Sequence, residues 1–173
     1  MSNKYYHYCN KPLHIDYSFN KYGIKRIINK PEGIWLSIGE EWKKWCLMED
    51  YCLEQLYTQN EIEIIDMSKI IEINTKEEVD NFIYEYEDIT IRKKLYTFID
   101  WNIVMRKYDG IIINNFYELK FSNVLYDENY MWLYSWDVPS ACIWNPKILK
   151  VVESKDIHEE IEKERRNYDC SGN

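Results

Sequence analysis

The stretch "NEIEIIDMSKIIEINTKEEVDNFIYEY", Asn60 to Tyr86, changes its hydrophobic period partway along, and that change decides the fold class. Ile62, Ile64 and then Asp66 alternate with Glu61, Glu63 and Ile65, the period of two that sends successive side chains to opposite faces of a strand. "DMSK" reads as a turn and "IIEIN" as a second strand. Thr75 followed three residues later by Glu78 is a capping box, because each side chain can satisfy a backbone N–H that the first helical turn leaves unpaired. The helix it opens turns Val79, Phe82 and Ile83 inward.

Upstream, "KYYHYC" (Lys4 to Cys9) is a short aromatic run before the turn-like "NKP", and "GIWLSIG" is a second strand bounded by Gly33 and Gly39. "EEWKKWCLMED" then takes helical spacing, with Trp42, Trp45 and Cys46 on one face and acidic residues in the first turn, where they complement the helix dipole. Downstream, "FIDWNIVMRKYDGIIINNF" predicts a helix that buries Ile99, Ile103, Val104 and Met105, stops near Tyr108–Asp109–Gly110 and leads into the strand "GIIIN". "YMWLYSWDVPSACIWNPKILKVV" predicts two last strands interrupted by Pro139, which has no N–H for a ladder and belongs at an edge, bulge or kink. Strands outnumber helices, and neither regular βαβ spacing nor a glycine fingerprint is present. The expected class is therefore α+β, with a mixed or antiparallel sheet.

The 173 residues fit one domain, expected over residues 1–153, followed by a dispensable terminal helix and flexible tail over residues 154–173. In that tail Ile157 and Ile161, four apart, offer one narrow contact with the body. At 46% hydrophobic and 16% aromatic the chain carries enough apolar surface to offset ordering entropy, which excludes a disordered polypeptide. A net charge of −8 argues against nonspecific nucleic-acid binding, which needs a surplus of cations to displace counterions. The basic spots Lys25–Arg26 and Arg92–Lys93–Lys94 read as solvated surface. No apolar run approaches the roughly 20 residues that cross a bilayer, and "MSNKYYHYCNK" has no leader character, so no membrane partner is expected and a cytoplasmic location is. Cys9, Cys46, Cys52, Cys142 and Cys170 are odd in number and irregular in spacing, which fits reduced thiols.

Several chemistries lack their parts. There is no phosphate-binding GxxxxGK loop, GxSxG elbow, HExxH or paired CxxC. His7, Cys9 and His14 lie close together but have no downstream ligand pair, so no metal is expected. Cys46, Cys52 or Cys142 with His7 would make a thiol nucleophile, yet no signal marks an activated thiol, and buried inert cysteines are the plainer reading. The clustering of Trp35, Trp42 and Trp45 leaves two readings open, a buried helix face or the wall of a ligand pocket.

In chain order, "YYHYC" (Tyr5 to Cys9), "GIWLS" (Gly33 to Ser37) and "EEWKKWC" (Glu40 to Cys46), followed by "EIEIIDMSKIIEINTKEEVDNF" and "KYDGIIINN", resemble the ADP-ribosyltransferase superfamily. The resemblance is to the branch with a His–Tyr–Glu triad that includes the poly(ADP-ribose) polymerases, and it spans residues 5–150. In that family a first strand carries His-Gly followed by Thr or Ser, a second strand reads "GIYFA" or "GLYFS", and a helix then brings a further aromatic ring. Here Tyr8 stands for the glycine, Cys9 for the Ser or Thr and Trp35 for the tyrosine. The family glutamate of "SExxxxDP" has no counterpart in "SACIWNP", where Ser140 and Ala141 stand. Asp137 is the nearest carboxylate upstream, and Asp109 is a second candidate.

What the resemblance implies is a split-sheet fold and an NAD-dependent mono-ADP-ribosyltransferase that modifies an intracellular macromolecule, most simply a protein. By that resemblance His7 hydrogen-bonds the ribose, the Tyr8 backbone holds the nicotinamide amide, and Trp35 with Trp42 or Trp45 stacks the ring. Ser37 adds a hydroxyl, and Asp137 stabilises the oxocarbenium-like state that also governs glycoside cleavage. A degenerate module of the same fold, binding a nucleotide or a basic protein partner without catalysis, is the alternative.

Overall fold

The computed structural model describes residues 3–17, 30–88, 97–121 and 130–171; both basic spots, Lys25–Arg26 and Arg92–Lys93–Lys94, lie outside them. The strands are β1 (Tyr5–Cys9), β2 (Ile34–Ile38), β3 (Thr58–Ile64), β4 (Ile70–Glu72), β5 (Gly110–Ile113), β6 (Ser140–Ile143) and β7 (Leu149–Asp156). The α-helices are α1 (Glu41–Met48), α2 (Lys76–Tyr86), α3 (Trp101–Lys107), α4 (Phe116–Phe121), α5 (Met131–Tyr134) and α6 (His158–Ser171). The class is α+β. Among the described residues the strands form one mixed sheet in the order β4-β5-β6-β2-β1-β3-β7, with β4 and β5 parallel and the other pairs antiparallel.

The sheet cannot be flat. Five interstrand spacings separate β4 from β3, roughly 24 Å in a flat sheet, yet only residues 65–69 join them, a connection that spans at most about 21 Å from Ile64 to Ile70. The bend falls between β2 and β1. That ladder has two pairs, Tyr5↔Ile38 and Tyr6↔Ser37, whereas β2–β6 has four and β1–β3 five. The two halves thus fold toward each other over a shared core of Leu36, Ile62, Ile112, Ala141, Ile143 and Leu149. A second, aromatic core lies on the other face of β5 and β6 under α2 to α5, and a third joins β1 to α1 and α6.

Local chemistry explains the best-defined elements. The Thr75 hydroxyl accepts from the Glu78 N–H at 3.2 Å, and the Glu78 carboxylate accepts from the Thr75 N–H at 3.0 Å, closing the capping box of α2. Asp100 caps α3 by accepting from the N–H groups of Asn102 and Ile103. Gly39 turns β2 into α1 with φ of +60°, a conformation that a side chain disfavours.

Three expectations are corrected. Residues 131–134 form α5 where a strand was predicted, and Trp132 and Leu133 are fully buried in the aromatic core; tertiary packing there overrides the strand preference of Trp and Tyr. Pro139 sits in a bend just before β6, as expected of a residue without an N–H, and its carbonyl accepts the Ile38 N–H. Ile103 is exposed, and α3 buries Trp101, Val104 and Met105. On α1 the buried ridge is Lys43, Cys46 and Leu47, with Trp42 and Trp45 half-buried on its flank.

The last strand continues through Asp156 in register with Thr58, and α6 packs back on α1 through Ile157 and Ile161, both buried. Lys43, with its side chain only 5% exposed, lies 2.8 Å from Glu160, 3.3 Å from Glu40 and 3.7 Å from Glu164. Burial alone would lower its pKa, but the hydrogen bond to Glu160 and the charges of Glu40 and Glu164 outweigh that and raise it. No helix among the described residues is long and apolar enough to cross a membrane.

Candidate functional site

A cavity of about 260 Å³ opens where β1 and β2 part. Six of the residues singled out from the sequence line it: His7, Tyr8, Trp35, Ser37, Trp42 and Asp137. Beyond Tyr6 and Ser37 the ladder ends, and the imidazole of His7 takes up the Trp35 carbonyl, with Nδ1 2.9 Å from that oxygen. A carbonyl can only accept, so Nδ1 carries the proton, and in the neutral ring Nε2 keeps a lone pair. Burial holds the His7 pKa below the usual histidine value, with the hydrogen bond to Trp35 opposing it in part. The side chain is thus a fixed, neutral acceptor.

Trp35 forms an aromatic wall with Trp136, whose ring stands edge-on at 4.7 Å and 65°. Trp136, Lys30, Tyr6 and Ser140 also line the cavity, and no motif of the sequence marks them for it. Lys30 is the consequential omission. Its ammonium stands 5.0 Å over the Trp35 ring and 3.8 Å from the Asp137 carboxylate. Burial raises the Asp137 pKa, and the charges of Lys30 and then Lys120 pull it back in part. Burial lowers that of Lys30, opposed mainly by Asp137. A lysine preceding "PEG" in a loop carries no sequence signal that separates it from ordinary surface lysines.

Not every selected group is available to a ligand. The Ser37 hydroxyl donates to the Gly39 carbonyl at 2.8 Å and accepts from the Trp42 N–H at 3.0 Å, which ties it to the start of α1. Tyr8 receives the Gln59 amide on its phenol oxygen at 2.9 Å, and burial drives its pKa far above the usual tyrosine value. Trp45 is not part of the lining; it stacks behind Trp42 at 5.0 Å and 16°, with Tyr51 edge-on to both. Asp109 is buried at the entry to β5, where its carbonyl accepts from Trp144 and Asn145, and it does not line the cavity.

Cys9, Cys46 and Cys142 are poorly placed for nucleophilic work, and the exposed Cys52 does not line the cavity. Cys46 and Cys142 are buried, and burial pushes Cys46 up to about 12 and Cys142 well above its ordinary value. Cys9 donates to the Lys11 carbonyl and accepts from Asn60. No cluster of three metal-ligating side chains occurs among the described residues.

The arrangement combines a neutral imidazole acceptor, indole walls and a half-buried carboxylate beside an ammonium. Such groups can stack against a flat ring, accept a hydrogen bond from a hydroxyl and offset positive charge next to the carboxylate. No protein-family model, curated protein or solved structure matches the chain.

Proposed function

We propose that the chain is an NAD-dependent mono-ADP-ribosyltransferase whose nicotinamide and adjoining ribose occupy the cavity between β1 and β2. The observation that carries this reading is the convergence of His7 from β1, Trp35 from β2 and Asp137 from the approach to β6 on that one cavity. The volume, about 260 Å³, lies just under the range typical of small-molecule pockets and suits one ring and one sugar, with the rest of the dinucleotide outside.

NAD⁺ supplies a ribose carbon whose bond to nicotinamide breaks with the electron pair leaving on the ring, while positive charge develops on the sugar. The remaining work belongs to the chain. His7 accepts a hydrogen bond from a ribose hydroxyl at Nε2, held in that tautomer by the Trp35 carbonyl. Trp35 and Trp42 flank the ring, and the Tyr8 backbone meets its amide. Asp137 faces the developing charge and accepts the proton of the incoming acceptor group, a protein side chain in the simplest case.

A second reading, a nucleotide- or protein-binding module without transfer, is favoured by Lys30, which neutralises Asp137 and covers the Trp35 face. Two measurements divide the readings. Titration with NAD⁺ is expected to change tryptophan fluorescence, because Trp35, Trp42 and Trp136 line the cavity. Labelled NAD⁺ is then expected to modify protein in a lysate with the wild-type chain and to do so at least about 100-fold more slowly with Asp137→Asn, which keeps its NAD⁺ affinity. Binding without transfer selects the nucleotide-binding module; no binding removes the transferase and the nucleotide-binding module and leaves only a protein-binding one.

A further inference from the structure

We propose that Lys30 selects phosphate-bearing ligands: on binding, its ammonium leaves Asp137 for the phosphate of a nicotinamide nucleotide, so the cavity prefers the nucleotide to its nucleoside. This rests on the nicotinamide reading of the same site.

Three features lead there. First, Lys30 is the one cationic side chain lining the cavity among the described residues, in a chain of net charge −8. An anion entering this site therefore meets one positive charge inside a chain that is acidic overall. Second, the ammonium is held loosely. At 3.8 Å from Asp137 the pair is an ion pair outside hydrogen-bond distance, and the Lys30 side chain is still 37% exposed. Its four-carbon stem lets the charge move several ångströms without moving the backbone. Third, its present position conflicts with the ligand. A ring cation stacked on Trp35 and an ammonium 5.0 Å over that indole repel each other on the same face. Departure of Lys30 clears the face and leaves Asp137 unpaired, the state in which its carboxylate can face a developing positive charge. A phosphate on the ribose offers the ammonium a full charge-assisted hydrogen bond in exchange.

The test is a pair of affinities on the full chain. Tryptophan fluorescence is titrated with nicotinamide mononucleotide and with nicotinamide riboside, on wild type, Lys30→Met and Lys30→Arg. Wild type is expected to bind the mononucleotide roughly tenfold more tightly, the scale of one charge-assisted hydrogen bond. Lys30→Met brings the ratio to about one, and riboside affinity holds or improves as the indole face clears. Lys30→Arg keeps the preference. Equal wild-type affinities, or a preference that survives Lys30→Met, overturn the role of Lys30 and leave the nicotinamide site standing. Failure of NAD⁺, mononucleotide and riboside alike overturns the site itself.

Discussion

Trp101, Trp132 and Trp144 are at most 5% exposed on one side of the sheet, while Trp35, Trp42 and Trp45 remain half-buried around the β1–β2 junction. The difference follows the ladder. β5 and β6 pair over four registers and every residue of both is buried, so rings beneath them are sealed by helices. β1 and β2 pair over two registers and then part, so rings beside them become walls. Trp136 touches both regimes: it is fully buried, yet its ring backs Trp35 at the cavity. Indoles of one chain therefore serve as core or as surface according to whether the neighbouring strands stay joined.

The sharpest way to break this comparison is to remove one ring from each region. Trp132→Ala empties a fully enclosed position against Phe82 and Trp101, and is expected to cost about 3–5 kcal/mol in urea unfolding. Trp42→Ala removes a half-buried ring at the cavity and is expected to cost about 1 kcal/mol, in proportion to the smaller area it withdraws from water. Equal losses would mean that the junction is packed as tightly as the aromatic core. The N–H groups of Trp101, Trp132 and Trp136 have no acceptor among the described residues, so their contribution comes from packing rather than hydrogen bonding.

The open region has its own brace. Lys43→Met leaves Glu40, Glu160 and Glu164 without the cation that joins α1 to α6. Loss of one partner from a buried pair costs about 3–5 kcal/mol, but these carboxylates are more than a third exposed and rehydrate, so roughly 1–3 kcal/mol is expected from urea unfolding. Glu40 also accepts from Gln59, which donates to Tyr8, so the brace reaches the cavity wall. The variant is therefore expected to weaken NAD⁺ binding as well, whereas Trp132→Ala, corrected for its unfolded fraction, is not.

The same division separates what was legible in the sequence from what was not. The capping box of α2, the strands β1, β2 and β5 and the α+β class are readable because their signals are local. The partnering of β3 and β4 is not: consecutive strands lie near opposite edges of the sheet, a consequence of long-range pairing that no turn between them reveals. α5 is hidden for a related reason, since "MWLY" looks like strand until the aromatic core claims it. In the cavity, His7, Trp35 and Asp137 stand out by residue type and order, while Lys30 and Trp136 enter only through the long-range β2–β6 pairing that brings residues a hundred positions apart together.

The smallest expected effect bears most directly on the open region. If the junction keeps a carboxylate for chemistry rather than for stability, Asp137 should cost the fold something at neutral pH. Burial raises its pKa above the ordinary aspartate value, so between those two values the folded state holds more protons than the unfolded one. Stability then falls as pH rises through that window, and the penalty persists at pH 7. Lys30, at 3.8 Å, and after it Lys120 offset part of it. Asp137→Asn removes the charge and keeps the shape; the ammonium it releases is exposed enough to be solvated by water. The midpoint of thermal unfolding is therefore expected to rise slightly at pH 7, by about 1–2 °C, and to match wild type at pH 2.5, where both states of Asp137 are protonated. A clear loss at pH 7 that vanishes at pH 2.5 would reverse the sign, making the ion pair with Lys30 a structural tie and moving this side of the cavity into the same category as the sealed core.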